Sequence, residues 1–268
     1  MTVPTGTIGF GAMRLADADI WHGPADRPAA IRLLRTVADL GVPLIDTADV
    51  YALGDNETLI AEALHPYPDG LMIASKAGET RPSPGEWVPV GNPAYLKQQA
   101  ELSLRRLRAD HIPLFYLHRV DPLVALEDQL GALVELRDAG KIGAIGLSEV
   151  SVEQLDAALR VTGIAAVQNA YNLGDRTHEP VLDRTAELGI AFVPFYPIAA
   201  AHPVVDGIAA ELGATRAQVS LAWLLRRAPN ILPIPGTTSE VHLKENLAAT
   251  GLTLTGDQFD RLQSVAGG

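Results

Sequence analysis

The stretch Leu133-Val-Glu-Leu-Arg-Asp-Ala-Gly140-Lys-Ile-Gly-Ala-Ile-Gly-Leu-Ser148 decides how the rest of the chain reads. Apolar residues at helical spacing run up to Ala139, and a glycine follows where a left-handed C-cap would sit. An apolar run then starts at Ile142 and stops on a polar side chain, Ser148. Helix, return turn and buried strand in immediate succession make the unit of a parallel α/β sheet.

The same punctuation recurs in both directions. Pro28 to Leu40 stops at Gly41, Leu123 to Ala139 at Gly140, and Glu179 to Leu188 at Gly189. Strands are predicted at Ile8 to Met13, Val42 to Thr47, Leu71 to Lys76, Ile112 to His118, Ile142 to Ser148, Ala165 to Gln168, Ile190 to Pro194 and Ile231 to Pro235. Further helices are predicted at Glu57 to Leu64, Asn92 to Leu107, Val152 to Leu159, Gln218 to Arg226 and Ser239 to Ala248. This alternation over 268 residues predicts an α/β fold, a single (β/α)8 TIM barrel forming one domain over 1–268. An open doubly wound sheet would carry Gly-x-Gly-x-x-Gly after its first strand, and Gly9, Gly11 and Arg14 do not complete it. The Pro/Gly-rich segment Thr80 to Pro93 reads as a loop after the third strand.

Composition narrows the function. A chain 47% apolar and 20% charged is an ordinary folded globule. A formal charge of −11 without any Lys/Arg-rich run argues against a nucleic-acid partner. Without cysteine there is no disulfide, thiolate metal site or thiol nucleophile. Met1 to Phe10 lacks the basic and apolar segments of a leader, and no stretch approaches the ~18 apolar residues of a membrane span. The expectation is a cytoplasmic monomer acting on a small molecule, with no membrane partner.

Barrel sites lie at the carboxyl ends of the strands, so the residue closing each apolar run is informative. Those residues are Asp46, Lys76, His118, Ser148 and Gln168. Each alone has a structural reading: Lys76 snorkelling, Asp46 capping a loop, His118 satisfied in the core, Tyr51 packing over the barrel mouth. Together, a lysine, a carboxylate and an imidazole at one rim invite mutual pKa perturbation. A metal-assisted hydrolase built on Asp46, Asp49 and Asp55 is a weaker alternative, because no histidine-rich ligand spacing accompanies them.

Asp46-Thr-Ala-Asp-Val-Tyr51, Lys76 after its strand and His118 in Leu-His-Arg resemble the catalytic pattern of the aldo-keto reductase superfamily. Gly146-Leu-Ser148, Val167-Gln168-Asn169-Ala-Tyr171-Asn172 and Ile234-Pro-Gly-Thr-Thr-Ser239 through Glu245-Asn246 resemble its cofactor-binding segments, and the order holds over nearly the whole chain. The resemblance implies an NADPH-dependent oxidoreductase that reduces an aldehyde or ketone to an alcohol, with NADH use left open. It makes Tyr51 the proton donor, Lys76 the cation that depresses the tyrosine pKa, Asp46 the counter-ion of Lys76, and His118 the group orienting the carbonyl.

On the cofactor side the resemblance implies Gly11, Ala12 and Met13 at the first strand, Ser148, Glu149 and Gln168 near the nicotinamide carboxamide, and Tyr196 stacking on the nicotinamide. Gly236, Thr237, Thr238, Ser239 and His242 would surround the 2′-phosphate, with Glu245 and Asn246 at the adenine. Independently, a helix beginning after Ser239 would offer free N–H groups to an anion; Ser239 equally reads as the cap of its own helix.

Three departures qualify the transfer. No lysine stands near Gly236 and no arginine near His242; Glu149 replaces the frequent asparagine, setting a carboxylate beside the cofactor; and Tyr196 to Pro203 is short, which implies a loose clasp. The loops Arg14 to Asp26, Thr80 to Pro93 and Arg119 to Leu123 are expected to select the substrate, with Trp21, His22 and Trp87 as aromatic candidates. Gly11-Ala-Met-Arg14, Ile45-Asp-Thr, Pro194-Phe-Tyr and Asn230-Ile-Leu-Pro-Ile-Pro-Gly look like a short bacterial-type subgroup that includes pyridoxal reductases, so pyridoxal is a first substrate to try. An NADPH-binding sensor with little turnover is the alternative, and the intact set Asp46, Tyr51, Lys76 and His118 speaks against it.

Overall fold

The computed structural model describes residues 2–265; Met1 and 266–268, included in the expected domain, lie outside the described residues. Strands β1 (Phe10–Gly11), β2 (Leu44–Asp46) and β3 (Met72–Ala77) are followed by a small antiparallel ribbon, β4 (Glu79–Thr80) with β5 (Val88–Pro89). Then come β6 (Ile112–Leu117), β7 (Ile142–Ser148), β8 (Ala166–Gln168) and β9 (Ala191–Phe192). Seven of these form one parallel sheet in the order β1-β2-β3-β6-β7-β8-β9.

The segment 231–235 closes the sheet into a (β/α)8 barrel. On one side Leu232 N–H donates to Phe192 O at 2.9 Å and Ile234 N–H to Pro194 O at 3.4 Å. On the other, Gly9 N–H donates to Pro233 O at 2.9 Å and Gly11 N–H to Pro235 O at 3.3 Å. The predicted eighth strand is therefore reduced to an isolated bridge, Phe192 to Ile231. Pro233 and Pro235 have no N–H to return to the first strand, which leaves that ladder one-sided.

Outside the sheet lie α1 (Arg27–Asp39), α2 (Asp55–Leu64), α3 (Pro93–Leu107), α4 (Leu126–Asp138), α5 (Val152–Val161), α6 (Glu179–Leu188), α7 (Pro203–Leu212), α8 (Arg216–Arg227), α9 (Glu240–Ala248) and α10 (Gly256–Gln263). The predicted returns at Gly41, Gly140 and Gly189 all have positive φ, 72°, 76° and 67°. Two helices escape the sequence reading. In α7, Gly207 and a Val-Val pair lower helix propensity, and in α10 the helical span is short. The predicted loop Thr80 to Pro93 holds the β4–β5 ribbon, and the first strand shortens because Ala12–Leu15 coil into a 3-10 turn. Among the described residues no helix is long and apolar enough to cross a membrane.

Along each strand, side chains alternate between two apolar layers. Leu44, Ala74, Leu114, Tyr116 and Ala166 fill the barrel interior, while Ile45, Ile73, Phe115, Leu147 and Val167 pack beneath the helices.

Candidate active site

One further inward step along each strand reaches Asp46, Lys76, His118, Ser148 and Gln168. The register aligns them: Asp46 pairs with Ala74, Lys76 with Tyr116, and Ser148 with Gln168. Alternation alone thus gathers five polar side chains on the carboxyl rim. Gly146 is required beneath them, because a Cβ there would lie 2.3 Å from the Tyr116 ring.

Lys76 is fully buried, and its ammonium donates to Asp46 Oδ1 and, at 2.8 Å, to Thr47 O. Asp46 Oδ2 accepts from Gln168 Nε2 at 2.8 Å. Burial pushes the Asp46 carboxyl up and the Lys76 amine down, and the attraction between the two opposes both shifts. A buried pair with these additional hydrogen bonds is the arrangement in which both groups stay charged.

Tyr51 opens a 3-10 turn over Tyr51–Gly54, in which Ala52, Leu53 and Gly54 all have positive φ, 49°, 52° and 92°. The turn leaves Tyr51 7% exposed while Leu53 is 54% exposed. Lys76 Nζ lies 5.2 Å from the Tyr51 ring centroid, and the His118 ring meets Tyr51 edge-on at 6.0 Å. The expected depression of the Tyr51 pKa is corrected here. Burial first, then the Asp46 and Glu79 carboxylates, push it well above its ordinary value, with only Arg119 opposing strongly. Lys76 is paired with Asp46, and burial outweighs the attraction its charge offers a phenolate.

Burial, Lys76 and Arg119 together hold the His118 pKa well below its ordinary value, so the ring is neutral. Its Nδ1 is buried and unpartnered, 3.5 Å from Glu79 Oε2. Arg119 donates through Nη1 to His118 O at 2.6 Å and to Ser148 Oγ at 3.2 Å, while its Nε lies 3.7 Å from Glu79 Oε1. Neither Glu79 nor Arg119 was singled out as a site residue from sequence. The available signal for Arg119 was its adjacency to His118; Glu79 offered none, since the β4–β5 ribbon that carries it has no apolar pattern.

A cavity of about 430 Å³ opens above these groups. Of the expected residues, Gly11, Met13, Asp46, Tyr51, His118, Ser148, Gln168, Tyr196 and Gly236 line it. Lys76 lies below its floor. Ala12 is buried, its carbonyl accepting from Asn56 Nδ2 at 3.0 Å. Gly11 and Gly236 meet as bare backbone: a Cβ on Gly11 would be 2.6 Å from Ile234 O, and one on Gly236 would be 2.7 Å from Gly11 O.

Farther along, Thr237 Oγ1 accepts from Ser239 N–H at 3.0 Å and Ser239 Oγ caps α9 by accepting from His242 N–H at 3.4 Å. Thr238 and His242 are exposed, Glu245 is half-buried and Asn246 buried, all outside the cavity wall. Glu149 does not line the cavity. With φ at 54°, its carboxylate turns away, accepting from Ala170 N–H at 2.7 Å and lying 3.5 Å from His178 Nε2. Of the aromatic candidates, Trp87 lines the cavity, whereas Trp21 and His22 do not. Asp55, placed by the hydrolase alternative among metal ligands, is bound to Arg27 at 2.8 Å. Among the described residues no group of three or more His, Asp or Glu side chains is arranged to hold a metal ion.

A parallel barrel with a buried Lys–Asp pair, a tyrosine and a neutral histidine around one rim cavity defines a carbonyl-type oxidoreductase scaffold. The Aldo/keto reductase family model matches residues 7–202 and 200–266, and the chain belongs to that family. It is 39% identical over 269 residues to pyridoxine 4-dehydrogenase of Escherichia coli, covering 97% of this chain and 94% of that protein. A thermostable aldo-keto reductase solved with the inhibitor epalrestat superposes with a TM-score of 0.87 at 27% identity, covering 99% of both chains. An aldo/keto reductase from Klebsiella pneumoniae, solved with NADP and acetate, gives 0.83 at 28% identity, covering 98% of this chain and 94% of that one.

Proposed function

We propose that this chain, folded as one barrel domain over 1–268, reduces an aldehyde or ketone to an alcohol with NADPH. The observation that carries the reading is the convergence of Tyr51, His118, Lys76 and Asp46 on a single cavity at the carboxyl rim. Bare backbone at Gly11 and Gly236, the Ser148 hydroxyl, the Gln168 carboxamide and the exposed Tyr196 ring fit a dinucleotide laid along one side. Amides at the start of α9 fit its phosphate end. The absence of the two expected cations there leaves NADH use open.

Bound NADPH supplies the hydride for the carbonyl carbon. The oxygen, becoming an alkoxide, takes the Tyr51 proton, and Tyr51 recovers a proton from water afterwards. Because burial keeps Tyr51 protonated, the donor is loaded throughout the physiological range. His118, neutral and facing the same space, orients the carbonyl by hydrogen bonding. Lys76, fixed by Asp46 and Thr47 O, places a positive charge beneath the developing oxyanion.

The kinship to pyridoxine 4-dehydrogenase and the aromatic cavity wall support pyridoxal as a substrate. The test titrates the protein with NADPH and NADH, then follows cofactor oxidation with pyridoxal, benzaldehyde, dicarbonyls and quinones. Oxidation by at least one carbonyl is expected. Tight NADPH binding without oxidation would overturn the reading in favour of a sensor.

A further inference from the structure

Arg81 is an arginine only 5% exposed, and no carboxylate lies within salt-bridge distance of it among the described residues. Its guanidinium is instead held by carbonyl oxygens of two loops. Nη1 donates to Ile20 O at 2.8 Å, Nη2 to Asp19 O at 2.8 Å and Nε to Glu86 O at 3.2 Å. The same group lies over the Trp87 ring at 3.9 Å and toward the Trp21 ring at 5.6 Å. A buried cation with all three guanidinium nitrogens hydrogen-bonded and aromatic faces beside it is a rigid joint, of a kind lysine cannot reproduce.

What the joint holds is a wall of the cavity. Ile20 and Trp87 line it, and both pack with Met13 against the buried cluster of Ala48, Val50 and Tyr51. Ile20 has φ of 56°, a region sparsely populated for a β-branched residue and kept only where the surroundings over-determine it. Its carbonyl receives both Arg81 and, at 3.1 Å, the N–H of Ala52 next to Tyr51. Trp87 follows β3, whereas Phe195 and Tyr196 follow β9, and β6, β7 and β8 separate those strands around the ring. Trp87 and the Phe195–Tyr196 pair therefore stand on opposite sides of the barrel mouth, the latter on the side assigned to the cofactor.

We propose that Arg81 is a specificity-determining positioning residue: by pinning the Asp17–His22 turn to the β4–β5 ribbon it fixes Ile20 and Trp87 as one wall of a slot that selects flat aromatic aldehydes over small aliphatic ones. The inference rests on the carbonyl-reduction reading of the cavity. A flat ring laid against Ile20 and Trp87 gains from area that a short aliphatic chain cannot cover, and the gain disappears when that wall moves.

The test compares Arg81→Lys with the parent protein on benzaldehyde and propanal, with the NADPH dissociation constant measured by calorimetry. KM for benzaldehyde should rise about tenfold, with propanal kcat and NADPH affinity unchanged. Should Arg81→Lys fail to fold, Trp21→Leu, outside the cavity, carries the test, with a smaller rise confined to benzaldehyde. Equal changes for both aldehydes, or none, would overturn the role of Arg81. A parent protein that binds NADPH yet reduces neither aldehyde, nor any other carbonyl, would instead defeat the underlying reading of the site.

Discussion

Glu79 Oε2 lies 3.5 Å from His118 Nδ1, both atoms are buried, and neither has a hydrogen-bond partner. The carboxylate faces a ring that burial, together with Lys76 and Arg119, holds neutral. Carbonyl reduction should therefore show no histidine inflection over roughly pH 5.5 to 8.5. Glu79→Gln removes the negative charge behind the ring, and kcat should fall about tenfold with NADPH affinity retained. Steady-state pH profiles of both proteins check this; an inflection near the ordinary histidine value in the parent would contradict it.

Tyr51→Phe deletes the proton donor without altering the Lys76–Asp46 pair. Turnover should drop by about three orders of magnitude, within the range of general acid catalysis. The NADPH dissociation constant should stay within about twofold. Near-parental turnover would remove Tyr51 from the chemistry.

Asp49 is buried with both carboxyl oxygens unpartnered, and burial plus the nearby Glu57 push its pKa well up. Folded Asp49 thus keeps a proton that the unfolded chain releases above about pH 4. Stability is lost as pH rises from there towards the folded value, at up to about 1.4 kcal/mol per pH unit. Asp49→Asn removes that loss, so its Tm advantage should widen as pH rises above about 5. A constant or shrinking advantage would count against a protonated Asp49.

Leu53 sits at φ 52° and is largely exposed, so its side chain strains the backbone without adding much packing. Leu53→Gly should stabilise the protein by about 0.5 kcal/mol, the relief of strain exceeding the added freedom of the unfolded chain. Leu53→Val should destabilise it by about 1 kcal/mol. Urea unfolding of the pair gives the order, and the reverse order would refute the strain.

Leu114-Tyr116-His118 shows why much of the rim was legible from sequence: a period of two in an apolar run specifies which side chain points inward, and the next residue in the column follows. Asp46, Lys76, Ser148 and Gln168 obey the same rule. Pro233 and Pro235 blurred the last strand because the missing N–H groups remove its ladder while leaving its path. Glu79 was invisible for a different reason, and Arg81 fell only within the predicted substrate loop Thr80 to Pro93. Their importance comes from a short ribbon folding over the rim, a through-space approach with no local pattern. The direction of the Tyr51 pKa failed because neighbours in sequence do not show how deeply a side chain is buried, and burial outweighs the nearby lysine.

The one-sided seam between Gly9–Gly11 and 233–235 joins the first and last segments of the barrel, and the cavity lies directly over it. Amide hydrogens of the first strand should exchange sooner than those of β6 and β7, where the ladder is complete. A nucleotide lodged across Gly11 and Gly236 would then act as a clasp on this gap, slowing exchange there more than anywhere else in the barrel.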